Sequence, residues 1–133
     1  MTRPFKLTPP PIPEHAEQVA LFQWAAVAER SDPRLRLLNA SQNGLSASSI
    51  QAAARAKKAG MKAGFPDVFL PVPVDGVAGL FIEMKRRDGV PSDVSAAQTW
   101  WLAELRGQGY RAEICYGWEQ AVKTIQNYLG AIL

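Results

Sequence analysis

One cysteine, Cys115, and one histidine, His15, are all that this chain of 133 residues holds of the side chains that build disulfides and most zinc centres. An internal disulfide is therefore excluded, and so is a zinc site of the usual Cys/His composition. Cys115 lies in Ala112-Glu113-Ile114-Cys115-Tyr116 and reads as a buried strand residue, a small hydrophobe. His15 reads as a surface residue of the first helix rather than a catalytic base. Long apolar runs are missing as well: none approaches the roughly 20 residues needed to span a bilayer. The first residues also lack the apolar core of a secretory signal. An intracellular, cytoplasmic protein with no membrane partner is expected. Net charge is low, with 15 Lys and Arg against 12 Asp and Glu, or +3. That balance permits a nucleic-acid partner without demanding one.

What the chain does have is 47% hydrophobic residues, enough at this length for one well-buried core. Residues 1–13 carry Pro4, Pro9, Pro10, Pro11 and Pro13 without periodicity and read as a flexible, extended arm. Residues 14–133 read as a single domain. A helix is expected from 14 to about 30, with Val19, Phe22 and Ala26 at core spacing. A strand over 34–40 and a turn at Asn43-Gly44 follow. An alanine-rich helix capped from the cluster Ser46, Ser48, Ser49 then runs to Lys58 and stops at Gly60.

Strands over 67–72 and 79–85 flank Asp75-Gly76 as a hairpin. Ser92 is expected to cap a helix to about 106, with Trp100 and Trp101 splitting between core and surface. A strand over 110–116 and a helix over 118–129 close the chain. This order mixes neighbouring strands with helical crossovers, so the fold class is α/β: a small mixed sheet flanked by helices.

The chemistry concentrates in Gly64-Phe65-Pro66-Asp67-Val68-Phe69-Leu70 and Gly79-Leu80-Phe81-Ile82-Glu83-Met84-Lys85. In a strand, residues two apart share a face, so Glu83 and Lys85 emerge together while Ile82 and Met84 turn to the core. Pairing of the two runs adds Asp67. Two carboxylates and one ammonium in so small a space are costly unless a hard divalent cation such as Mg²⁺ neutralises the acids. On the first helix Glu14, Glu17 and Gln18 share one face. Arg55, Lys57, Lys58 and Lys62 precede Asp67, and Arg86 and Arg87 follow Lys85. Basic groups bracketing the acids in this way can neutralise phosphates.

Pro66-Asp67 followed by Glu83-Met84-Lys85 resembles the PD-(D/E)xK signature of restriction-endonuclease-like nucleases. With Glu14-His15-Ala16-Glu17-Gln18, Ala59 through Asp67, Ser92 through Gln98, Trp101, Gly109-Tyr110 and Cys115-Tyr116-Gly117-Trp118, the chain resembles the virus-type replication-repair nuclease (VRR-NUC) domain in its stand-alone phage form. The similarity runs from about Glu14 to Leu129. It implies a restriction-endonuclease-like fold and a DNA endonuclease that depends on Mg²⁺, with Mn²⁺ as substitute. The metal ligands it implies are Asp67, Glu83 and the backbone carbonyl of Met84. A carboxylate of the first helix completes them, Glu17 as first choice and Glu14 as the alternative. Lys85 would orient the water and counter phosphate charge, and Gln98 would lie near the lysine and the phosphate.

The resemblance also implies branched DNA such as four-way junctions or flaps, a homodimer, and a role in phage replication, recombination or repair in the host cytoplasm. Relatives often carry a basic or glycine-rich stretch after the first strand. Here that stretch is uncharged, leaving Asn43 and Ser46 to touch phosphate. Two rival readings stand beside the enzyme: a noncatalytic nucleic-acid-binding module on the same fold, and a small structural protein of a phage particle. A missing acid or lysine would favour the binding module, and none is missing. The acid and lysine set is unexplained in a particle protein.

Overall fold

The computed structural model describes residues 12–41 and 49–130. Positions 1–11 of the expected proline arm lie outside the described residues, as do Asn43 and Ser46 of the uncharged loop. Among the described residues no helix is long and apolar enough to cross a membrane.

Helix α1 (Glu14–Ala28) is entered from the extended backbone of Pro13. Its inward stripe is Glu17, Leu21 and Ala25, at helical spacing of four. The expected core stripe of Val19, Phe22 and Ala26 is corrected by this placement. Val19 is 42% exposed, Ala26 is exposed, and Phe22 packs only at the margin of the core. The helix is apolar on more than one face, and a buried acid marks the inner one.

Residues 34–37, expected as strand, belong instead to a 3-10 helix, Pro33–Leu37. Asp32 accepts the Arg34 amide ahead of it, and Pro33 sits at its start. Leu35 within it and Leu38 just after it, both buried, are three apart, the period of that helix rather than of a strand. Strand β1 is only Asn39–Ala40. Helix α2 (Ile50–Lys58) is capped by Ser49, whose Oγ accepts the Ala52 amide at 3.0 Å. The chain leaves α2 through Gly60 at φ +102°, a conformation that favours glycine.

The sheet has the order β1-β2-β3-β4. Strand β2 (Val68–Leu70) is antiparallel to β1 and to β3 (Leu80–Lys85), while β4 (Arg111–Tyr116) runs parallel to β3. Between β2 and β3, Asp75 and Gly76 both take positive φ, and Val74 and Val77 exchange two hydrogen bonds, closing a tight hairpin turn. The parallel pair needs a crossover, supplied by α3 (Ala96–Gly107). The cap of α3 is Ser95 rather than the expected Ser92, because Pro91–Asp93 forms a separate 3-10 turn.

Helices α1 and α4 (Trp118–Leu129) cover one face of the sheet, where Leu80, Ile82 and Met84 meet Leu21, Ile125 and Leu129. Helix α3 covers the other, packing Leu102 and Leu105 on Phe81 and Ala112. All six residues of β3 are buried, so Glu83 and Lys85 are carried into the α3 side of the interior.

Candidate active site

Asp67 immediately precedes β2, and the register that sets Val68 opposite Ile82 brings it to Glu83. Asp67 Oδ2 accepts the Met84 amide at 2.8 Å, tying the acid to the β3 backbone. The approach to Asp67 requires Gly64, which has φ +86°; a Cβ there would lie 2.8 Å from Ala97. Only glycine lets this loop press on the first turn of α3, so Asp67 and Gln98 share one rigid frame. Glu14, in the first turn of α1, completes the group. One carboxylate oxygen from each of Glu14, Asp67 and Glu83 lies within 4.8 Å of the others. Lys85 Nζ stands 3.7 Å from Glu83 Oε1, and Gln98 Nε2 donates to that same oxygen at 2.8 Å.

The Gln98 amide is held from both ends. Its oxygen accepts the Ser95 amide at 2.9 Å, while Ser95 Oγ accepts the Gln98 amide at 3.1 Å, a capping box. Ser95 is a site-supporting residue that sequence reasoning missed, although Ser95 and Gln98 spell the S-x-x-Q pattern that signals it.

Burial dominates the electrostatics. Asp67 is 6% exposed and Glu83 2%. Burial first, and the neighbouring Asp67 second, push Glu83 up to about 9. Asp67 is also raised by burial, against the lowering effect of the Met84 amide. Glu14 is raised by burial, with Lys85 pulling the other way. Three acids around one lysine form a site short of positive charge. Its donors are hard carboxylate oxygens, the set that suits Mg²⁺ or Mn²⁺. A cavity of about 480 Å³, lined by Glu14, Lys85, Arg86, Asp88 and Asp93 among others, opens beside the cluster.

Glu17, the first choice for the helix carboxylate, is elsewhere. At 1% exposure it accepts the Arg87 amide at 3.2 Å and Arg87 Nε and Nη2 at 2.9 Å each, and it takes a backbone hydrogen bond from Trp118 at the start of α4. Three residues of helix rise separate it from Glu14 by about 4.5 Å along the axis. Glu14 therefore meets the acids, while Glu17 meets α4, and the ranking of the two reverses.

Arg87 shares its guanidinium between Glu17 and Glu119, and Arg86 pairs with Asp88 at 2.9 Å. Both arginines expected at phosphate are thus engaged by acids. Arg55, Lys57, Lys58 and Lys62 lie on and just after α2, where Lys57, Lys58 and Arg55 are exposed. Trp100 is 56% exposed, whereas Trp101 is partly buried and donates its indole N–H to the Ala63 carbonyl at 3.1 Å.

The family model of the VRR-NUC domain matches residues 10–119, a span that includes Glu14, Asp67, Glu83, Lys85 and Gln98. The chain belongs to the VRR-NUC domain family. A solved structure described as a VRR_NUC domain protein is similar to it, with a TM-score of 0.72 and 24% identity over 90% of both chains. At that identity the likeness speaks for the fold. No curated protein matches the chain. The VRR-NUC domain brings a nuclease-type fold, with DNA as the partner it suggests and an acidic cluster able to take a metal.

Proposed function

We propose that this VRR-NUC protein is a divalent-metal-dependent DNA endonuclease of the PD-(D/E)xK type. The observation that carries the reading is the convergence of Glu14, Asp67 and Glu83 oxygens within 4.8 Å beside Lys85 and Gln98. Asp67, Glu83, Glu14 and the Met84 carbonyl would hold Mg²⁺, or Mn²⁺ in its place. When bound, such a cation supplies Lewis-acid stabilisation of phosphoryl charge and a more acidic water.

The rest of the work falls to the chain's own side chains. Lys85, 7% exposed, keeps its ammonium beside Glu83, where it counters charge developing on the phosphoryl oxygens and orients the attacking water. Gln98 acts as a positioning residue. Because Ser95 fixes its oxygen, its amide nitrogen points at Glu83 Oε1 and holds that carboxylate in one orientation. Burial of the group strengthens each of these interactions relative to water.

Branched substrates such as four-way junctions or flaps, a homodimer with two sites about a two-fold axis, and work in phage replication, recombination or repair in the host cytoplasm belong to the same reading. Two such sites would suit paired incisions. The complete acid and lysine set favours the enzyme over a noncatalytic binding module. A panel of linear, nicked, flap and four-way DNA, incubated with Mg²⁺, with Mn²⁺ and with chelator, is the test. Cleavage of branched DNA only with a divalent ion is expected. Binding without cleavage under every condition would leave the binding module as the function.

A further inference from the structure

A second cavity, of about 440 Å³, lies on the α2 side of the site. Its walls include Ala56 and Ala59 of α2 and its end, Met61 of the following loop, Phe65, Trp101 and Ser41. A neighbouring cavity is lined by Ala53 and Lys57 and shares Gly60, Met61 and Lys62 with the first, so the two form one groove along α2. The volume falls in the range of small-ligand sites.

We propose that this groove receives the nucleotide next to the cleaved bond with its base unpaired and lodged against Phe65 and Trp101. This rests on the endonuclease reading and adds to it a base-binding subsite. Four observations lead there. First, the cavity is joined to the acidic cluster through its own walls. Phe65 is two residues before Asp67, Trp101 is one turn after Gln98 on α3, and the Ser41 amide donates to the Asp67 carbonyl at 2.7 Å. Second, the rings of Phe65 and Trp101 meet at 84° with centroids 5.1 Å apart, forming a corner in which a flat heterocycle can stack on one ring and abut the other. The indole N–H is already taken by Ala63, which fixes the ring.

Third, Ser41 Oγ is buried with no hydrogen-bond partner among the described residues. A hydroxyl in that state is costly, and rotation of the Ser41 side chain toward the cavity it lines would bring it to the donors and acceptors of a base edge. Fourth, α2 buries none of its own residues, presents alanines to the groove, and carries Arg55, Lys57 and Lys58 in its last turn. An aromatic wall followed by a basic track is the arrangement that binds unpaired strands.

The test is binding of labelled flap DNA, whose junction fixes the register, to the parent protein in chelator, using a series in which one abasic nucleotide is moved along the unpaired arm. The expected result is one position at which loss of the base weakens binding about tenfold. Ala59→Trp, placed at an exposed residue and filling the cavity, should bind the intact flap about tenfold more weakly and respond to no abasic position. Ala56→Leu fills the same space from within α2 and serves if Ala59→Trp does not fold. Equal affinity across the whole series, or a filled variant as position-sensitive as the parent, would overturn the subsite. Divalent-dependent cleavage of the intact flap and of four-way DNA by the parent is read separately. Position-sensitive binding without any cleavage would remove the endonuclease reading and support the subsite, whereas cleavage with uniform binding would remove the subsite alone.

Discussion

Glu17 and Arg87 are locked together through both carboxylate oxygens, the guanidinium and the Arg87 backbone amide, joining α1 to the end of β3 and the start of α4. The pair shapes the site without belonging to it, because it fixes the helix on which Glu14 stands. Glu17→Ala is expected to lower the melting temperature by roughly 5 °C or more, as loss of a buried hydrogen-bonded acid does. Glu14→Ala should leave it near the parent value. The Arg87 hydrogen bonds hold Glu17 below the ordinary carboxylate range. Its contribution is therefore complete above about pH 4.5 and lost as pH falls through the depressed folded value. Melts of the two variants across acid pH check both statements.

Asp67 has two duties that different substitutions separate. Asp67→Asn keeps an oxygen for the Met84 amide, whereas Asp67→Ala strands that buried N–H at a cost of about 1–3 kcal/mol. Both should lower cleavage by at least about a hundredfold. Only the alanine variant should lose stability in denaturant titrations.

Glu83 makes the metal-free protein sensitive to alkali. Its folded value of about 9 stands above the ordinary 4.5, so the folded state holds a proton that the unfolded chain has released. Stability contributed this way is present at low pH and lost as pH rises from about 4.5 to about 9. In chelator, the difference in melting temperature between parent and Glu83→Gln should therefore grow to the parent's disadvantage over that window. A difference that moved the other way would mean that the carboxylate is satisfied without a cation.

Lys57 and Lys58 are exposed at the end of α2, beside the groove. Replacing both with alanine should weaken DNA binding and reduce the magnitude of the log-affinity slope against log salt by about 0.9 for each duplex phosphate that is no longer neutralised. The melting temperature should hardly change, because exposed charges contribute little to stability. Affinity measured across a salt series is the check.

The central part of the site was legible because it depends on local rules. Alternation along one strand put Glu83 beside Lys85, and a short hairpin delivered Asp67. What escaped the sequence depends on distant or competing interactions. The inner face of α1 is set by Glu17, whose burial makes sense only with Arg87, 70 residues later. In residues 34–37 the leucines alternate as in a strand, while the pair that is buried, Leu35 and Leu38, has the spacing of a 3-10 turn begun by Asp32 and Pro33. Ser92 and Ser95 both offer a cap, and the choice falls to the one whose third residue onward, Gln98, closes the box. Arg87 meets acids that only the fold brings to it, Glu17 and Glu119, whereas Arg86 pairs with Asp88 two residues on.

Binding of Mn²⁺, followed by the loss of its free-ion electron paramagnetic resonance signal, tests the metal-centre claim most directly. The parent should bind the ion, Asp67→Asn should bind it at least about tenfold more weakly, and Lys85→Ala should bind it as the parent does while failing to cleave DNA. Mn²⁺ affinity in Asp67→Asn equal to that of the parent would contradict a cation held between Glu14, Asp67 and Glu83.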